Sequence, residues 1–316
     1  MNARAPSTSS SARAPRRSKP LTDIRVLLLE ALQARWQTFR AALKRCQEKS
    51  SEAAVHDLRV ATRRLISTLD LVARIHPQAN LRKARRALKR QLDTFGPLRD
   101  AQVQLLSVDK MLASFPELQG FYNALLKRER KLVQRLGAEV KTVKIGKVEK
   151  VIRTAIKEVE VLLDMPEMQQ EKHAEAIRAV EAAFNRVVER KQAIDPADSA
   201  TIHRMRVAFK KFRYLVESLA PLLDWVTGRQ LKAMNAFQGS MGDIQDAKVL
   251  RTSVMAFARK RGGEREASLA HALEELALRH TALIDAFFRS ADTLNTFWKP
   301  TSQVDRHLLA ARHGVR

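Results

Sequence analysis

The chain has 316 residues, with 58 Lys+Arg against 34 Asp+Glu and a formal net charge of +24. An apolar content of 45% is that of a globular protein and excludes full disorder, and no apolar run approaches the roughly 20 residues that span a bilayer. The single cysteine, Cys46, excludes an internal disulfide and a Cys-based zinc site and fits a reducing compartment, while ten Gly and ten Pro are too few for a turn-dense all-β fold.

A charge excess of this size implies a polyanionic partner: nucleic acid, an anionic membrane surface or a phosphate polymer. Phe, Trp and Tyr together make only 5% of the chain. The interleaved basic and stacking side chains of a single-strand reader are therefore missing.

In chain order, residues 1–20 carry five basic residues, no acid and almost no large apolar side chain. Such a composition cannot bury enough surface to fold. The segment lacks the apolar stretch of a secretory signal, and it reads as a disordered basic arm, with an Arg- and Ser-rich transit peptide as the alternative. From Leu21 onward the pattern is helical. In 24–46 apolar residues recur at Ile24, Leu27, Leu28, Ala31, Ala34 and Phe39, close to the 3.6-residue period, and Cys46 falls in an apolar stretch as a core residue or a bystander. Breaks are predicted at Ser50–Ser51, His76–Pro77, Gly96–Pro97, Phe115–Pro116, Met165–Pro166, Asp195–Pro196, Thr227–Gly228 and Gly262–Gly263. About ten helices of roughly 15 to 25 residues lie between them, and strand-like alternation is nowhere sustained. The fold class is all-α, and residues 301–316 form a C-terminal tail.

The chain also resembles itself. VHDLRVATRRLISTLDLV (55–72) matches IHRMRVAFKKFRYLVESL (202–219), pairing His56 with His203, Arg59 with Arg206, Arg63 with Lys210 and Arg64 with Lys211 at an offset of 147. FGPLRDAQVQL (95–105) matches MGDIQDAKVL (241–250), pairing Gly96 with Gly242 and Asp100 with Asp246 at an offset of 146. Two matched blocks at nearly one offset predict a duplicated helical unit, repeat 1 over about 21–163 and repeat 2 over about 167–300, as two bundles around a pseudo-twofold axis.

Advancing 100° per residue along the repeated helix places His56, Arg59, Val60, Arg63, Arg64 and Ser67 in one arc. Val55, Leu58, Ala61, Leu65, Ile66 and Leu69 take the other side. The second copy repeats the division, with His203, Arg206, Val207, Lys210 and Lys211 against Ile202, Met205, Phe209, Phe212 and Val216, and Arg213 at the border. A basic helix face is usually a solvated one. Here few acids stand at i,i+4 to neutralise the cations, and spacing and sign persist in both copies, which favours an anion site. Further basic clusters are weaker candidates. Arg82, Lys83, Arg85, Arg86, Lys89 and Arg90 surround the stripe Leu81, Ala84, Leu88 and Leu92, with Arg85 and Lys89 nearest to it. Lys141, Lys144, Lys147, Lys150, Arg153 and Lys157 recur at helical spacing opposite Ile145, Val148, Ile152 and Ile156. Arg99 joins the candidate site, whereas Asp100 and Asp246 are expected to cap a helix or hold a cation.

The chemistry of a catalyst is not visible. There is no Walker loop, dinucleotide fingerprint or H-E-x-x-H, no carboxylate pairing with histidine in a metal-like arrangement, and no acid or base placed to activate His56 or His203. Both histidines are expected to donate hydrogen bonds; no enzyme activity, metal or cofactor is expected.

The run His-x-x-Arg-Val-x-x-Arg-Arg at 56–64, followed by Gly96-Pro97-Leu98-Arg99-Asp100-Ala101-Gln102-Val103, resembles the signature of the CHAD family, the conserved histidine α-helical domain, over roughly residues 21–300. The second copy departs by Lys at 210 and 211 and by Gln245 in the place of Arg99. The resemblance implies two four-helix bundles around a basic central pore or cleft that binds inorganic polyphosphate, often at intracellular granules. It places His56, Arg59, Arg63, Arg64, Lys89, Arg99, His203, Arg206, Lys210, Lys211 and Arg213 in that pore; the weaker basic clusters add Arg82, Arg85, Arg86 and Lys144 as candidate further contacts. The E-x-E-x-K motif of the CYTH triphosphatase domain often fused to relatives is not found. The residues agree with that ligand: it offers closely spaced charges and no bases, and Arg and Lys suit phosphate oxygens. The expectation is a cytoplasmic, granule-associated polyphosphate binder without membrane insertion and with no oligomeric state legible. The alternative is a sequence-independent nucleic-acid binder acting through outer charges such as Arg16, Arg17, Lys147 and Lys150. An enzyme acting on polyphosphate or nucleotides ranks below both.

Overall fold

The computed structural model describes residues 23–49, 51–77, 81–141, 143, 145–163, 169–223, 225–260 and 267–298. The expected arm at 1–20 and tail at 301–316 lie outside them, as do the breaks at Met165–Pro166 and Gly262–Gly263. Ten long helices run in the order α1 (Ile24–Glu48), α2 (Glu52–Ile75), α3 (Arg82–Thr94), α4 (Gly96–Asp109), α5 (Gln119–Lys141), α6 (Gly146–Leu163), α7 (Gln169–Gln192), α8 (Ser199–Leu219), α9 (Gly228–Arg259) and α10 (Ala270–Ser290). No strand occurs among the described residues, and the all-α expectation holds.

Local chemistry sets the boundaries. The side chains of Asp23, Ser51 and Asp198 accept hydrogen bonds from the backbone N–H groups of Arg25 (2.8 Å), Ala54 (3.3 Å) and Ala200 (2.9 Å), supplying partners to donors that the first helical turn leaves orphaned. Thr227 and Gln230 form a reciprocal capping box at the start of α9. Two predicted breaks, at Ser51 and Thr227, are thus N-cap positions.

Two stretches depart from the sequence expectation. The basic run from Lys141 to Lys157 is not one helix, because α5 ends at Lys141 and α6 begins at Gly146. In addition, α9 continues for 32 residues through Gly242, where the matched region of the first half is split into α3 and α4 at Phe95. The residue after the matched glycine explains the difference. Pro97 has no N–H to continue the ladder and restricts Gly96 before it, whereas Asp243 can donate.

Packing then joins the halves. Helix α1 lies along α2 and α7 along α8, and α2 also packs on both α7 and α8. One apolar cluster combines Phe39, Leu58, Leu65 and Leu69 with Phe209, Phe212, Phe237 and Phe297. A satellite cluster joins Val108, Leu118, Phe121 and Leu125 to Val254, Leu269, Ala272 and Leu276. Most of the predicted stripe residues are buried, Cys46 included, with Ala31, Ile66, Leu92, Ile145 and Ile156 half-buried and Ala34 exposed, and both clusters draw on both halves. No helix of the described residues is long and apolar enough to cross a membrane.

Phe209 is fully buried, with ring centroids 5.0 to 5.9 Å from Phe237, Phe297 and Phe212. It sits on the face of α8 opposite the histidine-bearing one. Phe209→Ala is expected to cost about 3–5 kcal/mol through the cavity it leaves, measurable as a lowered urea midpoint.

Candidate anion-binding site

With their apolar faces anchored in the core, α2 and α8 turn their polar faces toward a shared cavity of about 1000 Å³ that α1, α4 and α9 also border. Helix α2 supplies His56, Arg59, Arg63 and Arg64. Helix α8 supplies His203, Arg206 and Arg213, and α4 supplies Arg99. These eight candidates, far apart in sequence, share one chamber.

Three other candidates stand elsewhere. Lys210 is not on the wall, but it lies half-buried among Arg63, Arg206 and Arg59, whose charges act on it. Lys211 is exposed and acts on Asp70 from outside the chamber. Lys89 is exposed on α3: only Ala84 and Leu88 of that helix are buried, so its cations fan away from the packed face. Arg82 and Arg86 are exposed likewise, and Arg85 pairs with Asp70 at 2.5 Å. Lys144 lies outside the described residues.

The walls also hold residues the sequence did not single out. Arg35 of α1 and Lys232 of α9 add cations, and Tyr214, Glu217, Gln238 and Gln245 add polar surface. Only Glu217 left a legible trace, standing four residues after Arg213 at a spacing that brings opposite charges together. Arg35 and Lys232 belong to no repeated motif. Asp100 and Asp246 line the chamber and cap nothing.

One end of the chamber is internally neutralised. Arg213 Nη1 donates to Glu217 Oε1 at 2.6 Å and Arg213 Nε to Gln238 Oε1 at 3.0 Å, while the guanidinium lies 4.9 Å from the Tyr214 ring centroid. Arg64 Nε lies 3.5 Å from Glu217 Oε2. Elsewhere, Arg99 Nη1 donates to Glu52 Oε1 at 2.9 Å and Arg59 Nη1 to the Leu92 carbonyl at 3.0 Å. Asp57, next to His56, turns away to Arg45 at 3.2 Å.

Arg63, Arg206 and Lys210 have no ion pair or side-chain hydrogen bond among the described residues. Arg206 Nε and His203 Nδ1 are buried without a hydrogen-bond partner. Arg206 lies along α9 at Gly242, where an added Cβ would meet its Nε and Nη2 at 3.4 Å, an ordinary contact, whereas one at Gly96 would meet nothing within 4 Å.

Eight Arg or Lys side chains against three carboxylates leave the wall with an excess of positive charge. Titration reflects it. Burial foremost, then Arg63, Arg206 and Arg59, brings Lys210 down to about 7; burial and Arg63 bring Arg59 down to about 10. His56 is lowered by burial and Arg99, and His203 by burial and Arg206. Lys210 and Arg59 thus carry charge out of water without enough counter-charge and the two histidines are biased toward their neutral form; an anion entering the chamber would oppose both effects. Among the described residues no three His, Cys, Asp or Glu side chains gather as a metal site would require.

The depressed Lys210 has a signed consequence. Between about 7 and its ordinary 10.5 the unfolded chain holds a proton the native chain has shed, so stability rises with pH across that window. Lys210→Met is therefore expected to stabilise the protein at pH 6 relative to wild type, with the advantage shrinking as pH rises through 7 toward 10; urea midpoints at both ends check this, and a pH-independent difference would contradict it.

A CHAD domain family model matches residues 28–254. No curated protein matches the chain. Among solved structures, the CHAD domain from the plant Ricinus communis superposes with a TM-score of 0.60 at 17% identity, covering 96% of this chain and 98% of that one. PptA from Streptomyces chartreusis superposes at 0.55 and 17% identity, covering 87% and 100%. At such identity these two likenesses bear on the fold alone, and the family model, spanning well over half of the residues, carries the assignment: this chain belongs to the CHAD family.

Proposed function

We propose that the chain binds inorganic polyphosphate in the chamber between α2 and α8, through His56, Arg59, Arg63, Arg64, Arg99, His203, Arg206 and Arg213 on the wall and Lys210 beside it. The observation that carries this reading is the cluster Arg63, Arg206 and Lys210, partly desolvated together with no ion pair among the described residues and fewer carboxylates than cations around it, with Lys210 brought down to about 7. Such a cluster stabilises whichever ligand brings closely spaced negative charge without bulk. The family's association with polyphosphate binding supports the same ligand. A cavity of about 1000 Å³ matches the upper size of small-molecule pockets; it accepts a bare phosphate chain and excludes a duplex. The forked donors of Arg and the point charge of Lys suit phosphate oxygens.

The domain acts in this reading as a binder and not as a catalyst. Asp57, the acid next to His56 in the chain, faces Arg45 and is not placed to activate that histidine. The two repeats, about 21–163 and 167–300, would each contribute one histidine helix. Granule association would follow from polymer binding, the basic arm at 1–20 adding general attraction for polyanions.

Competition at near-physiological salt between long-chain polyphosphate and duplex DNA of equal total charge tests this. Wild type and a variant lacking residues 1–20 are expected to prefer polyphosphate strongly, and Arg59→Ala/Arg63→Ala/Arg206→Ala to lose at least tenfold in affinity, of the order expected when several charge-assisted contacts vanish. Equal binding of both polymers, insensitive to the triple substitution, would leave a general polyanion binder. Phosphate release on adding a divalent metal would indicate an enzyme.

A further inference from the structure

The chamber does not end in neutral surface on its α9 side. Gln245, Asp246 and Val249 of α9 line it. Lys248 and Arg251 follow Gln245 at successive three-residue steps, and side chains so spaced are neighbours that wind gradually around a helix. The winding leads to α10, which packs along α9 and there presents His280. Its Nε2 is buried without a hydrogen-bond partner.

The charges link these positions to the chamber. Lys248 is near enough to His203 inside and to His280 outside that its charge lowers both, after burial. Arg251 acts on His280 as well. Among the described residues neither Lys248, Arg251 nor His280 has an ion pair or a side-chain hydrogen bond. Of the neighbouring acids, Asp243 lies beside Arg279 and Arg206, and the first charge acting on Asp246 is that of Arg206. At the opposite end, by contrast, Glu217 holds Arg213 and Arg64. On the α9 side Lys248 and Arg251, with no ion pair among the described residues, continue beyond the wall on which Asp246 stands.

We propose that Lys248, Arg251 and His280 form a surface track along α9 and α10 over which a phosphate polymer extends after leaving the chamber past His203. The inference rests on the chamber binding such a polymer, and it adds a chain-length dependence: ligands contained in the chamber do not reach the track, and longer ones do. Arg251 is exposed, with Lys248 and His280 half-buried; accessible cations such as Arg251 and Lys248 position a polymer by contact with its phosphates and release counterions as they do so.

Titrations of tripolyphosphate and of long-chain polyphosphate into wild type and Lys248→Ala/Arg251→Ala at several salt concentrations test the track. Lys147→Ala/Lys150→Ala on α6 carries the same change in net charge and serves as control. The expected result is unchanged tripolyphosphate affinity, a several-fold loss for the long chain, and a salt dependence of long-chain binding whose slope falls by about 0.7 per lost contact, as for a single-stranded polyanion. The control is expected to match wild type with both ligands. Equal losses for both ligands, no loss for either, or an equal long-chain loss in the control would each overturn the track while leaving the chamber in place. Failure of wild type to bind either ligand would overturn the function reading itself, and is distinguishable from those three results.

Discussion

The constraint on which the rest of the structure depends is the shortage of counter-charge where α2 meets α8. Arg63, Arg206 and Lys210 are held near one another and partly out of water, with Asp100, Asp246 and Glu217 too few to balance the wall. Each cation loses hydration and gains repulsion, so the arrangement opposes folding. It is tolerated because the other faces of the same two helices are among the best-packed parts of the molecule. Leu58, Leu65 and Leu69 on α2 and Phe209 and Phe212 on α8 are fully buried. The shared core therefore acts as the clamp that holds the cations together, and a bound polyanion would relieve what the clamp imposes.

The two matched halves use this clamp unequally. Arg99 of α4 is paired with Glu52, while its counterpart Gln245 is neutral and sits beside His203. Pro97 forces a junction between α3 and α4, and Asp243 lets α9 run on. Gly96 has open space around it, whereas Arg206 lies along α9 at Gly242. An approximate repeat in sequence thus becomes a chamber with different ends. At one, the Glu217 carboxylate holds Arg213 and Arg64. At the other, the charge of Lys248 acts on His203.

Much of this was legible in the residues. The helical period, the capping residues and the few glycines and prolines dictated an all-α chain and most of its helix ends, because those depend on neighbours within about four positions. The break between Lys141 and Gly146 escaped notice because basic side chains on both sides kept the helical spacing. The histidine, arginine and lysine positions of α2 and α8 stood out because the same spacing occurs twice, and eight of the eleven candidates line the chamber.

What the sequence determined by itself was the set of helices, the apolar and basic faces of each, and the excess of positive charge, all of which follow from local periodicity and composition. The tertiary structure alone decided which basic faces meet. It left Lys89 and Lys211 outside the chamber and brought in Arg35, Lys232 and Glu217 from helices with no shared motif. It also left Arg63 and Lys210 without an ion pair among the described residues while Arg213 gained Glu217. The physical reason is that burial and charge pairing depend on distances between helices far apart in the chain, and no one-dimensional spacing encodes them.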